Sequence, residues 1–427
     1  MWILSKAFLL FICLLCSSNN GAYADDNDLS HSHIVSVSSL LPPNVCNRTR
    51  TALPQGPDKA SLEVVSKYGP CSRLNQGIST HAPSLEEILL QDQQRLHLKN
   101  SRRLRKPFPE LLKRTEAFTF PAKINDTVAD EYYIVVAIGE PKQYVSLLLD
   151  TGNCNSKECP FNIQYADGSG SGGFWATDRI TIQEANSNGY FTRYPFLLGC
   201  INNSSGDKSG ASGIMGLDRS PVSIITRTNT SYFSYCLPSP YGSTGYITFG
   251  KTDTVNSKFI KYTPIVTTSE QSEFYDIILT GISVGGKNLP FNTSYFTKFG
   301  AIIDSGNIIT RLPPPIYAAL RSAFHKRMKK YKKAKGLEDL LDTCYDLSAY
   351  ETVVVPKIAI HFLGGVDLEL DVRGTLVVQS VSQVCLAFAT YPPDPNSITL
   401  GNVQQRGHEV HYDVAGRRLG FGPGNCS

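Results

Sequence analysis

Long apolar runs are scarce in this chain of 427 residues. The longest uniformly apolar run, Ala7 to Cys16, falls short of the ~20 residues that cross a bilayer. No later stretch approaches that length, so a membrane span is not expected. An excess of one charge is also lacking. Lys and Arg number 41 against 37 Asp and Glu, a net charge of +4, which gives no general reason to expect a nucleic-acid or acidic partner. A zinc-binding motif is lacking too. Cys154 and Cys159 are spaced wrongly for Cys-x-x-Cys, and no histidine pair stands near them, so a zinc site is not expected. His361, His408 and His411 fall in predicted strands. The last two, three residues apart, point to opposite faces, which reads as structural. Neither a metal nor a cofactor is expected.

What is present begins with an export signature. Lys6, the apolar run and the small-x-small triplet Ala22-Tyr23-Ala24, followed by Asp25-Asp26, read as a signal peptide over residues 1–24. The mature protein is expected to be soluble and secreted or vacuolar, with a plastid route as the second choice. Of eleven cysteines, Cys13 and Cys16 leave with the signal, and the rest suit an oxidising compartment. Sequons at Asn47, Asn125, Asn202, Asn203, Asn229 and Asn292 fit a glycoprotein.

The central feature is a repeated stretch. Leu147-Leu148-Leu149-Asp150-Thr151-Gly152 returns as Ala301-Ile302-Ile303-Asp304-Ser305-Gly306. Each reads as a buried strand ending in a tight turn that glycine permits. One copy is ordinary turn chemistry. Two copies, one in each half and each delivering a carboxylate to the end of an apolar strand, suggest two lobes that bring two aspartates together.

Further stretches follow in a fixed order: Tyr165-Ala166-Asp167-Gly168-Ser169, Gly213-Ile214-Met215-Gly216-Leu217, Phe233-Ser234-Tyr235-Cys236-Leu237, Asp342-Thr343-Cys344, Val384-Cys385-Leu386-Ala387-Phe388 and Leu400-Gly401-Asn402-Val403. With these, the region from about Glu131 to the C-terminus resembles the pepsin-type aspartic proteases, in particular the plant nepenthesin-like branch. The resemblance implies an all-β, bilobal acid-protease fold with a few short helices, acting as a monomer on polypeptide substrates. It implies Asp150 and Asp304 as the catalytic pair. Gly152, Gly306, Thr151 and Ser305 would line the substrate site, the two hydroxyls bonding across the lobe interface. Tyr165 would sit on a flap that closes over an extended peptide. It also implies disulfides Cys344–Cys385 and Cys236–Cys426, leaving Cys154, Cys159 and Cys200 in the first lobe. The chemistry is hydrolysis by a water held between two carboxylates that share one proton, with an acid optimum.

The chain departs from that pattern twice. Asp150 and Tyr165 are only fifteen residues apart, where the family has several tens, including a tryptophan-bearing strand and a cysteine-rich insertion. The first lobe therefore reads as shortened. Asn153 and Asn307 also stand where the family places Ser or Thr to donate to each carboxylate; asparagine keeps a donor but reaches further. The alternative function is a catalytically impaired relative that binds a protein or glycan through its cleft.

The expected domains are a signal peptide (1–24), a propeptide-like region (25–120), a shortened N-terminal lobe (121–250) and a C-terminal lobe (251–427). In the propeptide-like region, Ser84 and Glu87 have capping-box spacing, and a basic run from Lys99 to Lys106 follows. Its cleavage is expected between Arg102 and Lys123. Strands are expected at Tyr132 to Ile138 and Tyr144 to Leu149 around a Gly139–Lys142 turn. In the second lobe they are expected at Phe274 to Val284, Gly300 to Asp304, Val353 to Phe362 and Thr375 to Val378. Helices are expected near Pro221 to Thr226 and from Pro315 to Lys335. On the latter, Leu320, Phe324, Met328 and Tyr331 face the core and the lysines face water.

Overall fold

β-branched and aromatic residues recur along the chain in short runs, and these assemble as sheets. The computed structural model describes residues 30–41, 45–46, 60–74, 84–90, 92–93, 132–150, 161–164, 170–183, 190–205, 212–238, 243–251, 258–266, 273–337, 340–390, 397–424 and 426. The expected signal peptide, the basic run at 99–106 and the expected cleavage window lie outside them. The architecture is all-β and bilobal, with short helices, as the sequence implies.

Tyr132–Ile138 and Gln143–Asp150 form a hairpin. Its turn needs Gly139, whose φ is +78°. Gln143–Asp150 then runs parallel to Gly213–Gly216, in register from Leu147 opposite Gly213 to Asp150 opposite Gly216. The second lobe repeats the arrangement: Gly300–Ile303 runs parallel to Ser397–Leu400, with Ile303 opposite Leu400. Each aspartate is thus delivered by an apolar strand paired in parallel with a later strand of its own half.

The two halves meet in a twelve-stranded sheet. Its path takes in Lys261–Pro264, Arg418–Pro423, His408–Asp413, Tyr232–Cys236, Gly245–Phe249, Ala60–Ser66, Tyr132–Ile138, Gln143–Asp150 and Gly213–Gly216. Asp304 follows a strand of a separate five-stranded sheet. One large core cluster joins Ile134, Leu149, Phe233, Ile303 and Phe388.

Residues within the 25–120 region contribute to this framework. Ser32–Ser36 pairs with Thr352–Pro356. Ala60–Ser66 fills a slot between Gly245–Phe249 and Tyr132–Ile138. Cys46 and Cys71 form a disulfide that was not foreseen. The capping box is formed: Glu87 N donates to Ser84 Oγ at 3.2 Å, and Ser84 N donates to a Glu87 carboxylate oxygen at 2.7 Å. Both second-half disulfides, Cys236–Cys426 and Cys344–Cys385, are present.

Several boundaries differ from the sequence expectation, among them the run expected at Phe274 to Val284, which divides into Asp276–Ile277 and Leu279–Val284. The long helix runs Pro314–Met328 and buries Leu320, Phe324 and Met328, but it stops before residue 335. Lys332–Ala334 instead pairs as a strand with Cys344–Asp346. Tyr331, buried as expected, accepts a bond from Val354 N at 2.6 Å through its hydroxyl. The run expected at Val353 to Phe362 divides at Lys357 into Thr352–Pro356 and Ile358–Phe362. The short helix near Pro221 is Ile224–Arg227, capped by Ser223.

Candidate active site

Asp304 leaves its apolar strand with its backbone N donating to Leu400 O at 3.1 Å. Its side chain is fully buried, where an uncompensated carboxylate would be costly. Oδ1 accepts from Gly306 N at 2.9 Å. Oδ2 accepts from the Asn307 side-chain amide. Asn307 therefore supplies the donor that a Ser or Thr hydroxyl would give, despite its extra length.

A second loop, running from Gly401 into the 3-10 turn Asn402–Gln405, holds this one. Asn402 N donates to Asn307 O at 2.7 Å, and Val403 N to Ile308 O at 3.0 Å. The Asn402 side-chain amide donates to Ser305 O at 3.2 Å. The approach requires Gly401: a Cβ there would lie 2.5 Å from Ile308 O and 2.6 Å from Ile309 C. Gln405 Nε2 donates to Asp304 O at 3.3 Å and Leu400 O at 2.9 Å, while its Oε1 accepts from the Tyr235 hydroxyl at 2.5 Å. Tyr235 lies in the twelve-stranded sheet, so Gln405 ties the Asp304 loop to the surface where the halves join. Burial pushes the Tyr235 hydroxyl far above its ordinary range, which keeps it a proton donor. Gln404 fixes the strand beyond. It accepts from Thr310 N at 3.1 Å and Thr310 Oγ1 at 2.6 Å, and donates to Gly374 O at 2.9 Å and Ala387 O at 2.8 Å.

Of the sequence-predicted residues, Asp304, Ser305 and Gly306 come together in this buried loop. The backbone of Asp150 ends its strand. Thr151, Gly152, Asn153, Cys154, Cys159 and Tyr165 lie outside the described residues. The hairpin expected around Tyr165 is formed: Phe161–Gln164 pairs antiparallel with Gly170–Gln183, and Gln164 faces Gly170 across the 165–169 connection. A cavity of about 580 Å³ lies in the first lobe, bordered by Leu147, Trp175, Phe196, Met215 and Gly216. Gln404 and Gln405 went unrecognised in the sequence. Their signal was position, directly after the Leu400-Gly401-Asn402-Val403 stretch. His361 and His411 are structural. His361 bonds Asp367 at 2.7 Å and Ser283 at 3.1 Å, and His411 bonds Tyr232 at 2.7 Å and Glu409 at 3.0 Å. Among the described residues no helix is long and apolar enough to cross a membrane.

The model for the xylanase inhibitor N-terminal domain matches residues 152–251, and that for the xylanase inhibitor C-terminal domain matches 274–423. An aspartyl protease family protein of Arabidopsis thaliana is 37% identical over 481 aligned positions, covering 100% of this chain and 99% of the relative. The chain belongs to the plant pepsin-like aspartic protease family. That alignment is longer than the 427 residues present here, so the relative carries residues with no counterpart in this chain. The Arabidopsis aspartyl protease AED1 is 35% identical over 99% of this chain and 98% of its own length. Aspartic proteinase nepenthesin-2 of Nepenthes gracilis is 32% identical over 65% of this chain and 63% of its own. Among solved structures, the crystal structure of EDGP superposes with a TM-score of 0.55 at 19% identity, covering 69% of this chain and 92% of that one, a likeness of fold alone. These relatives place the chain among aspartic-type peptidases, whose substrates are polypeptides.

Proposed function

We propose that the chain is an aspartic endopeptidase that hydrolyses peptide bonds with a water held between Asp150 and Asp304. The observation that carries this reading is the repeated strand geometry. Asp150 ends a strand paired in parallel with Gly213–Gly216. Asp304 follows a strand paired in parallel with Ser397–Leu400 and is held by Gly306 and Asn307.

In this mechanism one carboxylate is ionised and accepts a proton from the water as its oxygen bonds to the scissile carbon. The other is protonated and polarises the carbonyl oxygen. Collapse of the tetrahedral intermediate breaks the C–N bond, and the nitrogen leaves with a proton from the pair. Two carboxylates in contact do not both ionise cheaply, so the pair shares one proton and titrates as a unit. Activity therefore belongs to acid pH. Thr151 and Ser305 would bond across the interface and fix both loops. Gly152 and Gly306 would admit the extended substrate, and Tyr165 would close over it from the hairpin tip. The proposed life history is export through the secretory pathway with loss of residues 1–24, glycosylation, and cleavage between Arg102 and Lys123. The three disulfides fit an oxidising compartment.

Calorimetry with a statine-type peptide, which resembles the tetrahedral intermediate, tests the site itself. Acid-treated protein should bind one molecule per chain, and Asp304→Asn should abolish tight binding. Absence of binding by well-folded protein would leave a cleft that recognises a protein or glycan instead.

A further inference from the structure

The second lobe contains a built carboxylate-binding site that its catalytic chemistry does not use. Directly after the Asp304 loop, Ile308 N and Ile309 N point at Asp92, a residue of the 25–120 region. Ile308 N donates to Asp92 Oδ1 at 2.6 Å and Ile309 N donates to Oδ2 at 3.3 Å. The Arg311 guanidinium stands 3.4 Å from Oδ2, with the side chains of Arg311 and Asp92 only 2% and 1% exposed. The approach is apolar as well. Ile88 and Leu89, one turn before Asp92, are buried in a cluster with Ile308, Ile309, Leu341 and Val403. Residues 85–90 and 92–93 are helical, and the spacing of Leu85, Ile88, Leu89 and Asp92 puts all four on one face. Leu85 packs against the same cluster.

Buried apolar anchors around a desolvated, paired charge are the features of an interface core rather than of a solvated linker. Each partner of such a pair is costly to leave alone. Removing this segment would take the Asp92 carboxylate away from Arg311 and two backbone amides and uncover the apolar cluster beside the Asp304 loop.

From this geometry we infer that Ile308 N, Ile309 N and Arg311 form a docking site whose ligand is the chain's own segment 84–93. The segment remains bound to the protease body after the backbone on both sides of it is cut. The inference rests on the reading of the chain as a protease matured by cleavage. Its ligand class is an amphipathic helical peptide with an aspartate one turn beyond its apolar anchors. The maturation cut alone does not release it, and docking keeps Ile308 and Ile309, which adjoin Asn307, tied down in the cut protein.

The test uses the full chain with sites for an unrelated specific protease inserted between residues 75 and 83 and between 102 and 123. After both cuts at neutral pH, the fragment carrying 84–93 should co-elute with the body on gel filtration. It is then exchanged against labelled synthetic peptides of residues 82–100. Because the substitution is made in the peptide, the body always folds with its native segment. Asp92→Asn in the peptide should weaken binding at least about 30-fold, which converts to ~2 kcal/mol, the lower end for stripping one partner from a buried charge pair. Separation of the fragment from the body directly after cutting, or binding of the Asp92→Asn peptide within twofold of the native peptide, would overturn the inference. Neither readout depends on peptidase activity, so a failure of the protease reading would be seen separately.

Discussion

The side-chain amide of Asn307 donates to the Asp304 carboxylate inside a fully buried loop. The residue after the second Asp-Ser-Gly triplet thus performs the task that the family gives to a hydroxyl. Asn307→Ala should lower kcat/KM roughly 10- to 100-fold, the effect of losing a hydrogen bond to an ionised group. Asn307→Ser should leave activity similar or higher. Steady-state kinetics on one peptide substrate would check both, and an unimpaired Asn307→Ala enzyme would remove Asn307 from the site.

Gln404 bridges three segments through four hydrogen bonds without exposure to solvent. Gln404→Leu would leave Thr310, Gly374 O and Ala387 O without those bonds, at about 2–4 kcal/mol in total for such buried polar groups. Denaturant unfolding of an activity-blocked background would measure it. Gly401→Ala should destabilise as well, because its Cβ would collide with the backbone at Ile308 and Ile309.

Glu409 links pH to stability on the far side of the large sheet. Burial alone would raise its carboxyl, but hydrogen bonds from His411 and Tyr246, together with the His411 charge, hold it below the ordinary glutamate range. A depressed folded pKa stabilises above the unfolded pKa of about 4.3 and loses that contribution as pH falls through the folded value. Glu409→Gln should therefore cost about 1 kcal/mol at pH 7. The difference from wild type should shrink below about pH 4 as Glu409 itself takes a proton. Thermal unfolding of both proteins across this range would show it; a constant offset at every pH would contradict it.

The disulfide Cys344–Cys385 joins neighbouring strands beside the second core cluster. Replacing both cysteines with alanine should cost about 2–5 kcal/mol. Peptide mapping without reduction should recover Cys46–Cys71, Cys236–Cys426 and Cys344–Cys385. Free thiols at Cys344 and Cys385 in folded protein would exclude that bond.

Local chemistry made much of this molecule legible. The Asp304-Ser305-Gly306 turn, the Tyr132–Asp150 hairpin, the Ser84–Glu87 cap and the core face of the Pro314–Met328 helix each declare themselves within a few residues. Long-range polar contacts did not. Thr310 lies 94 residues from Gln404, and Ile308 lies 216 from Asp92, and a lone Gln or Asp carries no period that points to a distant partner. Lysines are good helix formers, so the sequence favours a helix running on to residue 335. Pairing with Cys344–Asp346 overrode that preference at Lys332–Ala334. The strand Ala60–Ser66 had a visible signal, Leu62 and Val64 alternating with Ser61 and Glu63, but its place in the sheet depends on Gly245–Phe249, far along the chain.

The most direct test of the central claim is cleavage of a denatured protein substrate by purified, acid-activated protein from acid to neutral pH, with and without a statine-type inhibitor. Inhibitor-sensitive cleavage between bulky apolar residues is expected, greatest in acid and fading both toward neutrality and in strong acid, as the shared proton is lost or a second is gained. Asp150→Asn and Asp304→Asn should each abolish it, whereas Tyr165→Phe should only slow it. Absence of inhibitor-sensitive cleavage by well-folded, processed protein at every pH, or full activity in either Asp→Asn variant, would contradict the account.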